Sequence, residues 1–455
     1  MKLSRAHTVA AVLLLSIPLT VSACKRKAPQ APSDDPRAGR TRLPMPDMRP
    51  VPDMRRGPDG RPTTAPRTTP KNRPTLSVKA LTADQKRAAA DTTEFALKLY
   101  ARLRKAQGNL FLSPWSITTA LGMTYAGAQG PTAREMARAM SFHLEPSKLH
   151  PAIGALSARL AAGKGYELAI ANRIYAYQGL GLRPGYVSLL KQDYGVSVKT
   201  LNFKEQPDAS RRTINRWVKA QTRNRIPKLL HKPDIDKDSR MVLVNAIYFK
   251  GKWARRFDPK QTRPQPFHLT ASRSVKVPLM HQTAPFGYVS TGDVSVLELP
   301  YQGGLSMVVL LPKKRDGLAA LEKSLDPRKL PSLLSPLPKR KVKVWLPKFH
   351  LSSHFNLKQQ LQALGMGRAF TDRADFRGME PGRKLKISKV IHQANCDVGE
   401  QGTVAAAATA VIMAVRGMAR PPAIPEFRAD HPFLFLIRDP KSGVILFLGR
   451  VVDPR

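Results

Sequence analysis

With two cysteines in 455 residues, Cys24 and Cys396, the chain can build neither a disulfide framework nor a cysteine-rich metal site. Acidic residues are scarce as well, 32 against 76 lysines and arginines, which leaves a formal net charge of +44. An excess of that size favours anionic partners such as phosphate backbones, acidic glycans or anionic lipid head groups. Aromatic residues make up only 7%. No aromatic-interleaved basic cluster and no nucleic-acid motif stands out, so no specific nucleic acid is expected. There is no phosphate-cradling glycine loop, no dinucleotide glycine pattern and no clustering of metal ligands. Neither an enzyme nor a cofactor or metal is expected. The apolar stretch from Val9 to Val21 is shorter than the ~20 residues that span a bilayer.

That stretch suits export instead. Lys2 and Arg5 give it a positive start, and Ser22 and Ala23 lead to Cys24. The run "VSAC" resembles a bacterial lipobox, which predicts a lipoprotein signal peptide over 1–23 and lipidation at Cys24. Two or more acyl chains would hold the protein to a membrane where a single chain is marginal. Lys25 after the cysteine points to an outer-membrane lipoprotein of the bacterial cell envelope, facing the periplasm or the exterior. Residues 24–76 are rich in proline and arginine and nearly free of large apolar side chains. Such a segment cannot offset its ordering entropy and reads as a disordered tether. Residues 25–74 hold thirteen basic and five acidic residues, so most of the +44 belongs to residues 77–455.

From residue 77 to 455 the composition is that of one folded α+β domain. "TADQKRAAADTTEFALKLYARL" opens on a Thr82/Gln85 capping-box pattern and puts Phe95, Leu99 and Leu103 on one face. "MARAM" and "GALSARLAAG" predict further helices. "ELAIANRIYAY", "RMVLVNAIYFKGKW", "SVLELPYQGGLSMVVLLP", "KVKVWLPKFHL" and "KLKISKVIHQANCDV" read as strands. Strands this apolar are buried on both faces or packed between layers. The chain closes on a hairpin pattern with Asp439 to Gly443 as its turn.

These blocks, with "NLFLSPWSITTALGMTYAGAQGPTAREM", "LVNAIYFKGKWARRFDPKQTRPQPFHL", "LKQQLQALGMGRAF" and "ADHPFLFLIRDPKSGVILFLGRV", resemble the serpins in sequence order from about residue 90 to 454. The resemblance implies three β-sheets surrounded by helices, with a long exposed reactive loop near the C-terminus. It implies that "GEQGTVAAAATAVIMAVRGMAR", Gly399 to Arg420, is the hinge and that loop, which inserts as a new central strand after cleavage. Glu400, Gly402, Thr403, Ala405, Ala406, Ala407 and Ala408 would form the hinge. Counting from Glu400, the reactive bond falls between Arg416 and Gly417; Arg420 is a second candidate, and a cut after Val415 or Met418 would instead suit elastase-like or chymotrypsin-like enzymes.

The residue types suit insertion. Every second side chain of an added strand enters the core, so if Thr403 points inward, Ala405, Ala407 and Thr409 do too. All are small, and overpacking typically costs ~1–3 kcal/mol per site. No charge or proline interrupts Gly402 to Val415. Gly402 supplies backbone freedom at the bend. Arg416 suits a protease pocket with a carboxylate at its base, which a guanidinium pairs bidentately. The resemblance also carries Ser113, Ser116, Asn245 and His392 into a polar cluster controlling sheet opening, and Trp253 to the top of the sheet where insertion starts. Val404 departs from the family's usual glutamate but would face outward. His392 and Cys396 stand too far apart along a strand, ~13 Å, to act as a nucleophile pair.

The expected function is suicide-substrate inhibition of trypsin-like serine proteases through a covalent complex, by a monomer tethered at Cys24. The alternative is a non-inhibitory serpin-fold binding protein or a polyanion- or glycan-binding envelope lipoprotein. For the latter, "LPKRKVKVWLPK" and "GRKLKISK" are candidate clusters, although strand alternation is expected to split their charges between faces.

Overall fold

Prolines begin several helices of this chain. α1 (Ala83–Leu103) has the expected capping box, Thr82 Oγ1 accepting from Gln85 N at 3.2 Å while Gln85 Oε1 accepts from Thr82 N at 3.1 Å. The next five helices each carry proline at the first or second position: α2 (Pro114–Tyr125), α3 (Gly130–Met140), α4 (Pro146–Ala161), α5 (Pro184–Tyr194) and α6 (Pro207–Gln221). There the missing N–H is no loss and the fixed φ is already helical. Shorter helices follow, α7 (Leu318–Ser324), α8 (Lys329–Leu333) and α9 (Lys358–Ala363). The computed structural model describes residues 80–382, 385–403 and 423–455. The leader, Cys24 and the tether lie outside the described residues, as do Ala405, Ala406, Ala407, Ala408, Arg416 and Gly417.

Among the described residues the strands form two hydrogen-bonded sheets. The nine-stranded sheet runs β1 (Leu110–Leu112), β15 (Ile445–Val451), β14 (Phe433–Arg438), β8 (Ser306–Pro312), β7 (Val294–Pro300), β6 (Ser274–Ser290), β9 (Lys339–Pro347), β13 (Glu426–Arg428), with β5 (Arg263–His268) paired on β6. β6 pairs with β5 and β9 along most of its length and with β7 only from Gly287 to Ser290. It thereby joins two sheet surfaces into one bonded array. The six-stranded sheet runs β10 (Phe349–Asn356), β11 (Lys389–Gly399), β12 (Gly402–Thr403), β4 (Met241–Lys252), β2 (Tyr166–Tyr177), β3 (Lys199–Leu201). The expected hairpin is β14–β15, closed where Gly443, at φ +77°, donates its N–H to Asp439 O.

Two apolar clusters explain the unbroken hydrophobicity of β4. Met241, Leu243, Ile247 and Phe249 belong to the main core. Val242, Val244 and Ala246 point the other way, into a smaller cluster with Ile214 and Val218 of α6 and Ile391 of β11. The sheet is thus covered on both faces. β9 departs from the expected split of charge. Its odd positions Lys339, Lys341, Lys343 and Trp345 lie on one face, and of the even positions only Arg340 is charged; Val342, Val344 and Leu346 are buried. Apart from Arg340, alternating lysine with valine sorts the charge onto one side.

Candidate functional site

β4 and β11 are parallel neighbours although nearly 150 residues separate them in sequence. They pair directly from Val242↔Lys389 to Tyr248↔Asn395. Beyond Asn395 the pair forks, and β12 is wedged between the two strands, antiparallel to both. Thr403 faces Val398 on one side and Gly251 on the other; Gly402 faces Gly399 and Lys252. The offset between partners is the same 147 residues in the closed stretch, 389 less 242, and across the wedge, 398 less 251. The fork therefore opens without any slip of register.

Each residue of the turn Glu400–Gln401 and of β12 is held by a specific contact. Gly402 has φ +137°, and a Cβ on it would sit 2.0 Å from the carbonyl oxygen of Gly251, so no other residue fits. Thr403 is fully buried and its hydroxyl lies 2.8 Å from that of Tyr301. Tyr301 stacks on Trp253 with centroids 4.4 Å apart. The Trp253 indole N–H donates to Gly399 O at 2.9 Å, and its backbone N–H donates to Gln401 O. Phe257 N donates to Glu400 O. The Glu400 carboxylate accepts from Thr262 Oγ1 at 3.0 Å and pairs with Lys348 Nζ at 3.1 Å. Burial alone would raise the Glu400 pKa, but hydrogen bonds from its own backbone, Lys348 and Thr262 outweigh it and hold the group below its usual range. A pocket of about 400 Å³ lined by Lys348, Gly399, Glu400 and the last two residues of the chain lies beside this turn.

Further along the pair, polar side chains replace the aromatic ones. His392 is fully buried, its Nδ1 bonded to Asn245 Oδ1 and its Nε2 accepting from Ser113 N at 3.1 Å. Burial, with the His354 ring a lesser cause, lowers its pKa to about 3. A neutral ring that donates from Nδ1 and accepts at Nε2 satisfies both contacts. Asn245 Nδ2 donates to Ser116 Oγ at 2.6 Å and to Asn172 Oδ1 at 2.5 Å, and Asn172 Nδ2 donates to Ser116 O at 3.2 Å. Ser113 caps α2 by accepting from Ser116 N, and its hydroxyl donates to Leu446 O at 2.6 Å. The network thus ties the N-terminus of α2 to β2, β4, β11 and β15.

The structure brings Ser113, Ser116, Asn245 and His392 into one network, and places Trp253, Glu400, Gly402 and Thr403 together at the fork. Sequence reasoning missed Asn172, Tyr301, Thr262 and Lys348. Asn172 did leave a signal, as the lone amide in the otherwise apolar middle of "YELAIANRIYAY". Cys396, in β11, is buried, and desolvation pushes its thiol pKa well above the ordinary range, which suits core packing rather than nucleophilic work. Among the described residues no group of three or more His, Cys, Asp or Glu side chains could hold a metal ion, and no helix is long and apolar enough to cross a membrane.

Comparison with known proteins matches this geometry to a family. A family model described as serpin (serine protease inhibitor) matches residues 90–454. The chain is 40% identical over 378 residues to the leukocyte elastase inhibitor of Bos taurus, covering 80% of this chain and 99% of that protein. It is 37% identical over 366 residues to a serpin-like protein of Thermococcus kodakarensis, covering 79% of this chain and 84% of that one. Among solved structures, human thyroxine-binding globulin complexed with thyroxine superposes with a TM-score of 0.75 at 29% identity, over 82% of this chain and all of that one.

Proposed function

This chain belongs to the serpin family, and from that premise we propose that it is a suicide-substrate inhibitor of trypsin-like serine proteases. The observation that carries the reading is the wedge β12 with its unchanged offset of 147. A strand continuing from Thr403 in the same register would part β4 from β11 one residue pair at a time and find a backbone partner on each side. Thr403 points into the core, so Ala405, Ala407 and Thr409 would follow it there. Thr409 would arrive between Asn245 and His392 and break their bond. Ala408 and Ala410 would arrive beside Ala246 and Val244 of the smaller cluster, which explains why the run is alanine at consecutive positions and not merely at alternate ones.

Arg416 is the bait. The serine of the protease attacks the Arg416 carbonyl, the bond to Gly417 breaks, and Gly417 leaves as a new amino terminus. The enzyme remains as an ester on Arg416. Gly402 to Arg416 spans roughly 46 Å as a strand, long enough to tow the attached enzyme across the sheet. Towing distorts the geometry on which deacylation depends. This protein supplies no catalytic group. The lipid anchor at Cys24 and the tether would hold this trap, as a monomer, in a bacterial envelope. The bovine relative is named for leukocyte elastase, and Val415 would suit such an enzyme, so the position of the cut decides the target class.

Incubation of the purified protein with trypsin followed by a denaturing gel tests the reading. The expected result is a complex that survives boiling and a small fragment whose first residue is Gly417. Complete cleavage of the loop with full trypsin activity retained would instead favour a non-inhibitory binding protein of the same fold.

A further inference from the structure

The described chain meets the loop at two anchors, and both stand among cations without counter-ions. On the hinge side, the segment between β4 and β5 folds over the turn through Trp253, Phe257 and Thr262. That segment and the strand ends on either side of it expose Lys252, Arg255, Lys260 and Arg263. On the return side, Lys343 N donates to Pro425 O at 3.0 Å, and β9 exposes Lys339 and Lys341 on the face that Lys343 shares. None of these six cations belongs to an ion pair among the described residues. The carboxylates nearby are already engaged: Glu400 with Lys348, Glu426 with Lys343, and Asp430 with Arg428. Asp258 caps a short turn by accepting the backbone N–H of Lys260. The sequence between the anchors, 403 to 422, has two arginines and no acidic residue.

We infer that these cations form an electrostatic docking rim, and that the partner is a protease whose own active-site rim is acidic. The inference rests on the proposed inhibitory function and deepens it, since an arginine-accepting pocket alone does not distinguish acidic from basic proteases. Any enzyme that grips the loop must approach both anchors. At physiological salt, charges interact over about 8 Å, so the cations at the anchors act on a docking enzyme more than the rest of the net charge. A complementary rim raises association rates and a like-charged one suppresses them. The cations stand in two groups on separate segments, at opposite ends of one loop. That arrangement suits a body that straddles the loop better than a linear polyanion, which needs one continuous track.

The test uses cationic and anionic isoforms of trypsin, which cleave after the same residues but differ in surface charge. Second-order rates of complex formation are measured with the full chain at low and at high sodium chloride. The anionic isoform is expected to react roughly tenfold faster or more at low salt, and the gap should close at high salt. A variant carrying Arg255→Glu, Lys260→Glu, Lys339→Glu and Lys341→Glu should reverse the preference and leave the ratio of trapped to cleaved protein unchanged. Should its melting curve show unfolding, the glutamine counterpart at the same positions should still narrow the gap. Equal rates for the two isoforms, or equal salt slopes in wild type and variant, overturn the inference. So does acceleration of both isoforms by added heparin that the variant abolishes, which would assign the cations to a glycan. If no complex forms with either isoform, the inhibitory reading falls by itself. The ratio of kcat/KM for loop cleavage by the two isoforms then reads the docking rim in the same way.

Discussion

The two halves of the β4–β11 pair are held by different chemistry. At the fork, Trp253 and Tyr301 stack over β12, and most of the remaining hold is backbone hydrogen bonding around Gly402. Further along, the same two strands are joined by a buried amide–imidazole–hydroxyl network. Stacking tolerates small displacements. A buried polar network does not, because each partner left behind costs the desolvation of an unsatisfied group. On the proposed mechanism the fork is where the sheet would open with little loss, and the network is the latch that an incoming strand would have to undo.

The largest test of this contrast is to open the latch from outside. On the proposed mechanism, limited cleavage after Arg416 would let the strand insert and add backbone bonds on both sides. The melting temperature should rise by on the order of 10 °C or more, although each kcal/mol is worth only about 1–2 °C in a domain of roughly 380 residues. A scanning calorimetry trace that stays put after nicking breaks the comparison. Next in size, Asn245→Ala strands the His392 Nδ1–H in the core and leaves the Ser116 hydroxyl only its bond to Asn172 Oδ1. It should cost about 2–3 kcal/mol in denaturant unfolding; a loss below about 0.5 kcal/mol, the range of ordinary surface changes, would mean the network is no latch.

Acid should weaken the latch selectively. The His392 pKa is about 3 when folded, against 6.5 for an unperturbed histidine. The unfolded chain thus binds the proton first, and this contribution to stability is whole above pH 6.5 and declines as the pH falls from there towards 3. The slope approaches about 1.4 kcal/mol per pH unit for one such group. His150, lowered to about 4 by burial, adds a parallel loss below the same 6.5. His392→Gln should therefore flatten the pH profile without abolishing it, and an unchanged slope would relieve His392 of this role. The smallest effect belongs to the fork. Trp253→Phe keeps an aromatic ring but removes the N–H given to Gly399 O, and should cost about 1 kcal/mol. A loss rivalling that of Asn245→Ala would erase the distinction between the two halves.

Much of this architecture is legible in the residues alone. The capping box, the strand runs and the closing hairpin follow from local patterns, and each appears where the residues put it. Thr403 is buried, the case in which alternation carries Ala405, Ala407 and Thr409 inward, and the four residues of the polar cluster meet although they are scattered from 113 to 392. What stays hidden depends on pairing. Nothing local marks Gly402 as jammed against the Gly251 carbonyl, because that contact needs the register of two strands distant in sequence. Tyr301 and Thr262 look like ordinary residues of a turn and a strand end until the hinge turn folds against them. The charge on β9 misleads for the same reason. A run of lysines suggests scatter, but valines at alternate positions claim the core side and leave the lysines the other.

The constant offset of 147 has one more consequence. Because the same residue pairs face each other whether or not a strand lies between them, a guest strand can halt at any depth with a partner on both flanks. The sheet then behaves like a ruler with evenly spaced graduations, about 6.6 Å for every two residues, and has no single locked position of its own. How far a captive travels is written in the length of the loop, so lengthening or trimming that loop by a residue pair would move the stopping point by one graduation and leave the ruler unchanged.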